Sequence, residues 1–160
     1  MISLLDRLYY RLRKDEIIKA KNILSKIKID SVFECLTKCC WKYGIQYEIL
    51  FKNKEMFIIK LMGRSEIVII KFHRSEMVLL EDYVAFLSII GNYHIKRSIY
   101  ITTGEFEEKI TRNEKGNPLL SKENRIEDGC RFIRRQLGLK GTASEIFNYK
   151  IFNFYNYLSN

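Results

Sequence analysis

Lys71 closes the apolar run Ile67-Val68-Ile69-Ile70, and His73 and Arg74 follow it. An ammonium group at the end of an apolar strand, beside two more basic side chains, forms a rim suited to an anion, and lysine is a common phosphate partner. Further cations recur along the chain. Lys52 and Lys54 flank Asn53 in a polar turn, Lys96 and Arg97 precede another apolar run, and Arg131, Arg134 and Arg135 lie in one helical segment. Arg131 and Arg135 share a helix face at four-residue spacing, with Arg134 beside them. Cations gathered this way neutralise phosphates without reading base edges. No recognition-helix or zinc-finger pattern accompanies them, so backbone contact rather than sequence specificity is expected.

Composition points the same way. The 160 residues carry 28 Lys and Arg against 19 Asp and Glu, a net charge of +9, which favours an anionic partner, nucleic acid first. The length suits one domain with its own core. No apolar run approaches the roughly 20 residues of a membrane span. The first residues meet charge at Asp6 and Arg7, which leaves no uninterrupted apolar signal core, so a cytoplasmic location is expected. Cys35, Cys39, Cys40 and Cys130 make no C-x-x-C pair, and His73 and His94 are the two histidines of the chain. Buried free thiols are the expectation, with no metal site and no cofactor.

The elements that must position these residues follow from periodicity. Residues 2–27 read as a helix with Leu4, Leu5, Leu8, Leu12, Ile17 and Ile23 at helical spacing and a basic opposite face. Ser31 and Glu34 have capping-box spacing and open a helix that Gly44 stops. Strands are expected over residues 45–51, 55–61 and 65–72, then a helix over 78–90 and a buried strand over 98–102. A short helix near 106–110 and a polar loop over 113–125 come next. Asp128 caps a helix over 130–137, and Thr142 with Glu145 opens a last helix reaching Leu158. That helix carries Phe147, Tyr149, Phe152, Phe154, Tyr155 and Tyr157. Rings on so many faces suit a homodimer or another protein partner, with Phe152 and Tyr155 as the contact residues. Stacking on single-stranded bases is a further option.

Several of these segments, taken together, resemble a known family. Phe33-Glu34 precedes Gly44-Ile45-Gln46-Tyr47-Glu48; Ile67 to Lys71 forms a strand ending in lysine; Ile99-Tyr100-Ile101-Thr102-Thr103-Gly104 is followed by Phe106; and Arg125-Ile126-Glu127-Asp128-Gly129 opens an apolar helix. In order and spacing these are similar to the Mrr-like branch of the PD-(D/E)xK restriction-endonuclease superfamily over about residues 32–139. The resemblance implies an α/β fold with a restriction-endonuclease-like mixed sheet of about four strands flanked by helices. Residues 1–30 would add a basic helical extension, 31–140 the nuclease-fold domain and 141–160 the aromatic helix.

The same resemblance implies chemistry that the residues do not complete. Family members hold Mg²⁺ with carboxylates, one of them two residues before the lysine and another between the first two strands. Here position 69 is isoleucine and residues 51–59 contain no aspartate. Lys71 and Glu34 remain as remnants of a catalytic set. Glu48, Glu55, Glu66, Glu81 and Asp82 are the acids from which a relocated site would have to be built. The expected function is therefore binding of double-stranded DNA by a catalytically degenerate nuclease fold. Its nucleic-acid contacts would be Lys52, Lys54, His73, Arg74, Lys96, Arg97, Arg131, Arg134 and Arg135. An active Mg²⁺-dependent endonuclease and a protein-interaction module are the alternatives.

Overall fold

A computed structural model of the chain describes residues 4–93, 95, 97–116, 124–138 and 152–158. Helices α1 (Leu4–Leu12), α2 (Lys14–Leu24) and α3 (Ile29–Lys42) lead into strands β1 (Gln46–Lys52), β2 (Met56–Met62) and β3 (Ile67–His73). Short β4 (Met77–Val78), α4 (Leu80–Asn92), β5 (Arg97–Thr102), short β6 (Glu105–Phe106) and α5 (Glu108–Gly116) follow. β7 (Asn124–Glu127), α6 (Gly129–Gly138) and a 3₁₀ turn at Tyr155–Tyr157 complete the order.

The main sheet runs β1-β2-β3-β5-β7. β1, β2 and β3 form an antiparallel meander, and β3, β5 and β7 pair in parallel. Parallel neighbours need a crossover, and α4 supplies the one between β3 and β5. The architecture is the expected mixed α/β, restriction-endonuclease-like arrangement, with five strands in the main sheet where about four were expected. β7 starts in the last two residues of the expected polar loop, and no strand was expected there. Its four residues, Asn-Arg-Ile-Glu, alternate too briefly to signal a strand, and pairing with β5 supplies what propensity does not.

Helices cover both faces of the sheet. On one, Ile17, Leu24, Val32, Leu36 and Phe132 from α2, α3 and α6 pack on Phe57, Ile59, Leu61, Val68, Ile70 and Phe72. On the other, Tyr83, Phe86 and Ile90 of α4 and Ile110 of α5 pack on Ile58, Ile69, Tyr100 and Ile126. β3 is covered on both sides and is therefore almost continuously apolar.

Three expectations about helices change. The long N-terminal helix divides at Arg13, whose φ and ψ of −96° and 14° leave the helical region. The capping box does not form: α3 starts at Ile29, Lys28 occupies the cap position, and no side chain bonds there. Ile29 and Val32 are both buried, so apolar contact sets the helix start two residues before Ser31. The proposed cap from Thr142 to Glu145 lies outside the described residues. Where that last helix was to end, residues 152–154 are not helical, and a single 3₁₀ turn follows.

Burial explains this last change. Phe152 and Phe154 point inward with Asn153 exposed between them, a period of two rather than 3.6. The Phe132 ring meets Phe152, Phe154 and Tyr157 at 5.4, 6.1 and 6.4 Å. The Gln136 side chain donates to the Asn153 carbonyl at 3.1 Å and accepts from its amide at 3.0 Å, replacing a strand partner. Phe152 thus belongs to the chain's own core rather than to an exposed contact surface.

The Thr-Thr-Gly turn after β5 is a joint. Thr103 Oγ1 accepts from the Ser75 amide at 3.2 Å, and the Gly104 carbonyl accepts from the Gly129 amide at 2.9 Å. A Cβ on Gly104 would stand 2.2 Å from the carbonyl oxygens of both Ser75 and Glu76. Gly104→Ala is expected to lower unfolding free energy by about 1–3 kcal/mol or more, since backbone must move to admit the methyl. Urea denaturation checks this; an unchanged midpoint would show that the joint yields freely.

Candidate nucleic-acid interface

Lys71 sits near the end of β3 on the face covered by α4 and is 4% exposed. Its cross-strand neighbour on β5 is Tyr100, and its Nζ lies 4.6 Å from that ring centre and 6.0 Å from that of Phe86. His73, two residues on and therefore on the same face, hydrogen-bonds the Tyr100 hydroxyl through Nδ1 at 2.8 Å. Burial pulls the Lys71 ammonium below its ordinary pKa, and Asp82 at the start of α4 opposes that shift. His73 is also lowered, by burial first and by Lys71 second, against the pull of Asp82 and Glu55. Burial raises the Tyr100 hydroxyl. The result is a cationic, strongly desolvated centre with no ion pair to Lys71 among the described residues.

A metal held beside Lys71 would need carboxylates on this face. The position along the strand is Ile69 and the one across it on β2 is Ile58, both buried. Among the described residues no three His, Cys, Asp or Glu side chains gather closely enough to hold a metal ion. Glu66 is committed to Arg97 at 2.5 Å, and Glu48 to Lys60 at 2.6 Å. Glu34 is exposed on α3, on the far side of the sheet from Lys71. The position where the family resemblance implies a carboxylate two residues before the lysine is Ile69, and the acids that act on Lys71 and His73 are Asp82 and Glu55.

A basic cleft of about 500 Å³ lies at the adjoining end of the sheet, lined by Lys28, Ile29, Asp30, Lys52, Asn53, Lys54 and Arg74. Three elements meet there: the start of α3, the β1–β2 turn and the residue after β3. Asn53 Oδ1 accepts from the amides of Glu55 and Met56, both at 2.8 Å, and holds the turn that presents Lys54. The Arg74 amide donates to the Glu55 carbonyl at 2.8 Å, and its guanidinium to the Ile27 carbonyl at 2.9 Å. Lys52 pairs with Asp30 at 2.5 Å and lies over Phe33. α3 contributes the partial positive charge of its N-terminus.

The other predicted contacts are dispersed. Lys96 lies outside the described residues. Arg97 is bound to Glu66 and, at 3.5 Å, to the Leu158 carbonyl. Arg135 pairs with buried Glu127 at 3.4 Å, and the Tyr157 hydroxyl donates to the same carboxylate at 2.6 Å. Burial raises the Glu127 carboxyl, with Tyr157 and Arg135 opposing. Arg131 is exposed at the start of α6, and Arg134 lies 5.2 Å over Tyr10 of α1. The four cysteines are free thiols; burial raises Cys35, Cys39 and Cys40, the last to about 12. Tyr155 is exposed and rests against Tyr43 at 4.9 Å.

Sequence reasoning passed over Lys28 and Tyr100. The first carried a signal, a cation immediately before a buried helix start. The second did not, because only strand register places it against Lys71.

No family model matches the chain, and no curated protein matches it. Among solved structures the chain is similar to a protein of unknown function, AF1548, at 12% identity and a TM-score of 0.38, over 58% of this chain and 54% of that one. It is also similar to the MspJI restriction endonuclease in complex with a 27-mer oligonucleotide, at 12% identity and a TM-score of 0.37. That likeness covers 96% of this chain and 36% of the endonuclease chain. The chain thus spans little more than half of the first protein and about a third of the second.

A buried, unpaired ammonium costs stability. Its folded pKa lies below the unfolded 10.5, so the cost is full at neutral pH and fades as pH rises through the folded value towards 10.5. Lys71→Met is therefore expected to gain roughly 0.5–2 kcal/mol at pH 7, with the gain over the parent narrowing towards pH 10.5. Chemical denaturation across that range decides it; a destabilised variant would make Lys71 a structural residue.

Proposed function

We propose that the chain is a nuclease-like domain that binds double-stranded DNA through its phosphates, without base readout, metal or cleavage. One observation carries this reading. Lys28, Lys52, Lys54 and Arg74 converge in a cleft at the end of β3, while the positions flanking Lys71 are isoleucine. Four cations gather there around one acid, Asp30, which pairs with Lys52, and the carboxylate implied two residues before Lys71 is isoleucine. Lys71 and His73, on the face under α4, do not line the cleft.

Gel retardation of supercoiled plasmid, with Mg²⁺ or Mn²⁺ present, is the test. The parent and Lys71→Ala are expected to retard the DNA equally and leave it intact. The triple variant Lys52→Ala, Lys54→Ala, Arg74→Ala is expected to bind roughly tenfold or more weakly at about 0.1 M salt. Its log K against log salt slope should be shallower by about 3, close to one per lost phosphate contact. Nicking by the parent alone would overturn the reading, and so would a salt-independent affinity.

A second reading, association through protein contacts, is favoured by α1. Leu4, Leu5, Leu8 and Leu12 form a solvent-facing stripe there, while Tyr10 on the opposite side is partly buried. If this stripe joins two copies, light scattering after size exclusion will give a dimer for the parent and a monomer for Leu8→Lys. A monomeric parent removes it.

A further inference from the structure

At the other end of α3 the helix finishes in Trp41, the single tryptophan of the chain, and Lys42, with Tyr43 following. Trp41 is 81% exposed, which is unusual for the largest apolar side chain. Two clefts lie at this end of the helix, and Trp41 lines the first of them. One, about 510 Å³, is lined by Cys40, Trp41 and Tyr47; the other, about 710 Å³, by Tyr43, Arg64, Arg97, Tyr155 and Asn156. Gly44, Ile45, Gln46 and Met62 line both, so the two clefts share a wall. Tyr43 and Tyr155 lean together at 53°, and both rings are exposed.

The charged side chains that line these clefts, Arg64 and Arg97, are cationic, and Arg97 is paired with Glu66. No acid lines either cleft. Arg64 is exposed and has no ion pair among the described residues, and Lys42 holds its ammonium 5.5 Å over Tyr43. The Gln46 and Asn156 amides add donors and acceptors of the kind that meet base edges. Open aromatic faces combined with cations that follow a backbone are the two requirements for holding an unpaired strand. A peptide partner of apolar character would not call for the cations, and duplex DNA would not call for the rings.

We infer that the Trp41–Tyr43–Tyr155 surface binds single-stranded nucleic acid by stacking bases on its rings, with Arg64 and Lys42 meeting phosphates. This deepens the nucleic-acid reading and rests on it. The cleft at Lys52, Lys54 and Arg74 takes duplex phosphates; the aromatic surface takes the unpaired strand. The two sites mark opposite ends of α3, whose 14 residues span about 21 Å.

Trp41 provides the probe, because all tryptophan emission comes from this surface. The full chain is titrated with a short oligothymidylate and, separately, with a blunt duplex whose binding is followed by gel retardation. Oligothymidylate is expected to quench the emission saturably, and the duplex to leave it unchanged. Tyr155→Ala should weaken the oligothymidylate affinity about 5- to 150-fold, the loss of one stacked ring. The Lys52, Lys54, Arg74 triple variant should quench as the parent does. No saturable quenching, with the duplex still retarded, overturns the aromatic site and leaves the phosphate cleft standing. Neither response removes both. Equal quenching by oligothymidylate and duplex overturns base stacking, and so does a concentration-dependent emission shift without nucleic acid, which would mean that a second copy covers the rings.

Discussion

β3 is the constraint on which the rest of the molecule depends. It lies at the centre of the main sheet and is covered on both faces, so each residue from 68 to 73 is buried. Strand alternation then commits Val68, Ile70 and Phe72 to the core under α2, α3 and α6, and Ile69, Lys71 and His73 to the core under α4. A one-residue slip would exchange the two sets and move the lysine under α3, where hydrophobic residues pack. The seven paired positions with β2 and the six with β5 prevent it. The site is therefore a consequence of register: Lys71 is where it is because its neighbours are apolar.

That placement separates fold from chemistry. The Thr-Thr-Gly turn and the Asp128-Gly129 step are explained by the joint between the ends of β3, β5 and β7. Asp128 accepts from the Arg131 amide at 2.8 Å and starts α6, and Gly129 reaches back to Gly104. These residues keep the sheet end closed whether or not anything is cut there. Ile58 and Ile69 complete an apolar wall around the lysine, and a fold can keep such a wall while its surface takes a different task.

The sequence made the meander, the central strands and the α4 crossover legible because their patterns are long and bounded by turn residues. It showed Asp128 as a cap because a local hydrogen bond decides that position. Ser31 and Glu34 had the same local grammar, yet the burial of Ile29 and Val32 prevailed, since removing two apolar side chains from water outweighs one cap. The C-terminal aromatics misled for a related reason. Counted on a helix, they cover nearly every face; packed as Phe152 and Phe154 on Phe132, they alternate. No local pattern announces that Gln136 will take the place of a strand partner.

Charge was the least legible property, because a formal count does not say which cations are free to meet a ligand. Arg97 and Arg135 are engaged by Glu66 and buried Glu127, and Lys60 by Glu48. Basic residues line three clefts: the one at the start of α3, where Lys52 is itself paired with Asp30, the groove where Arg7, Arg11, Lys14 and Arg134 lie about Tyr10, and the one that Arg64 shares with the paired Arg97. Exposed charges more than about 10 Å apart act nearly independently at about 0.1 M salt. The net charge of +9 is therefore better read as separate local fields than as one basic face. Only where such a field coincides with a shaped cleft does it select a ligand; elsewhere it contributes to solubility and to the rate of encounter.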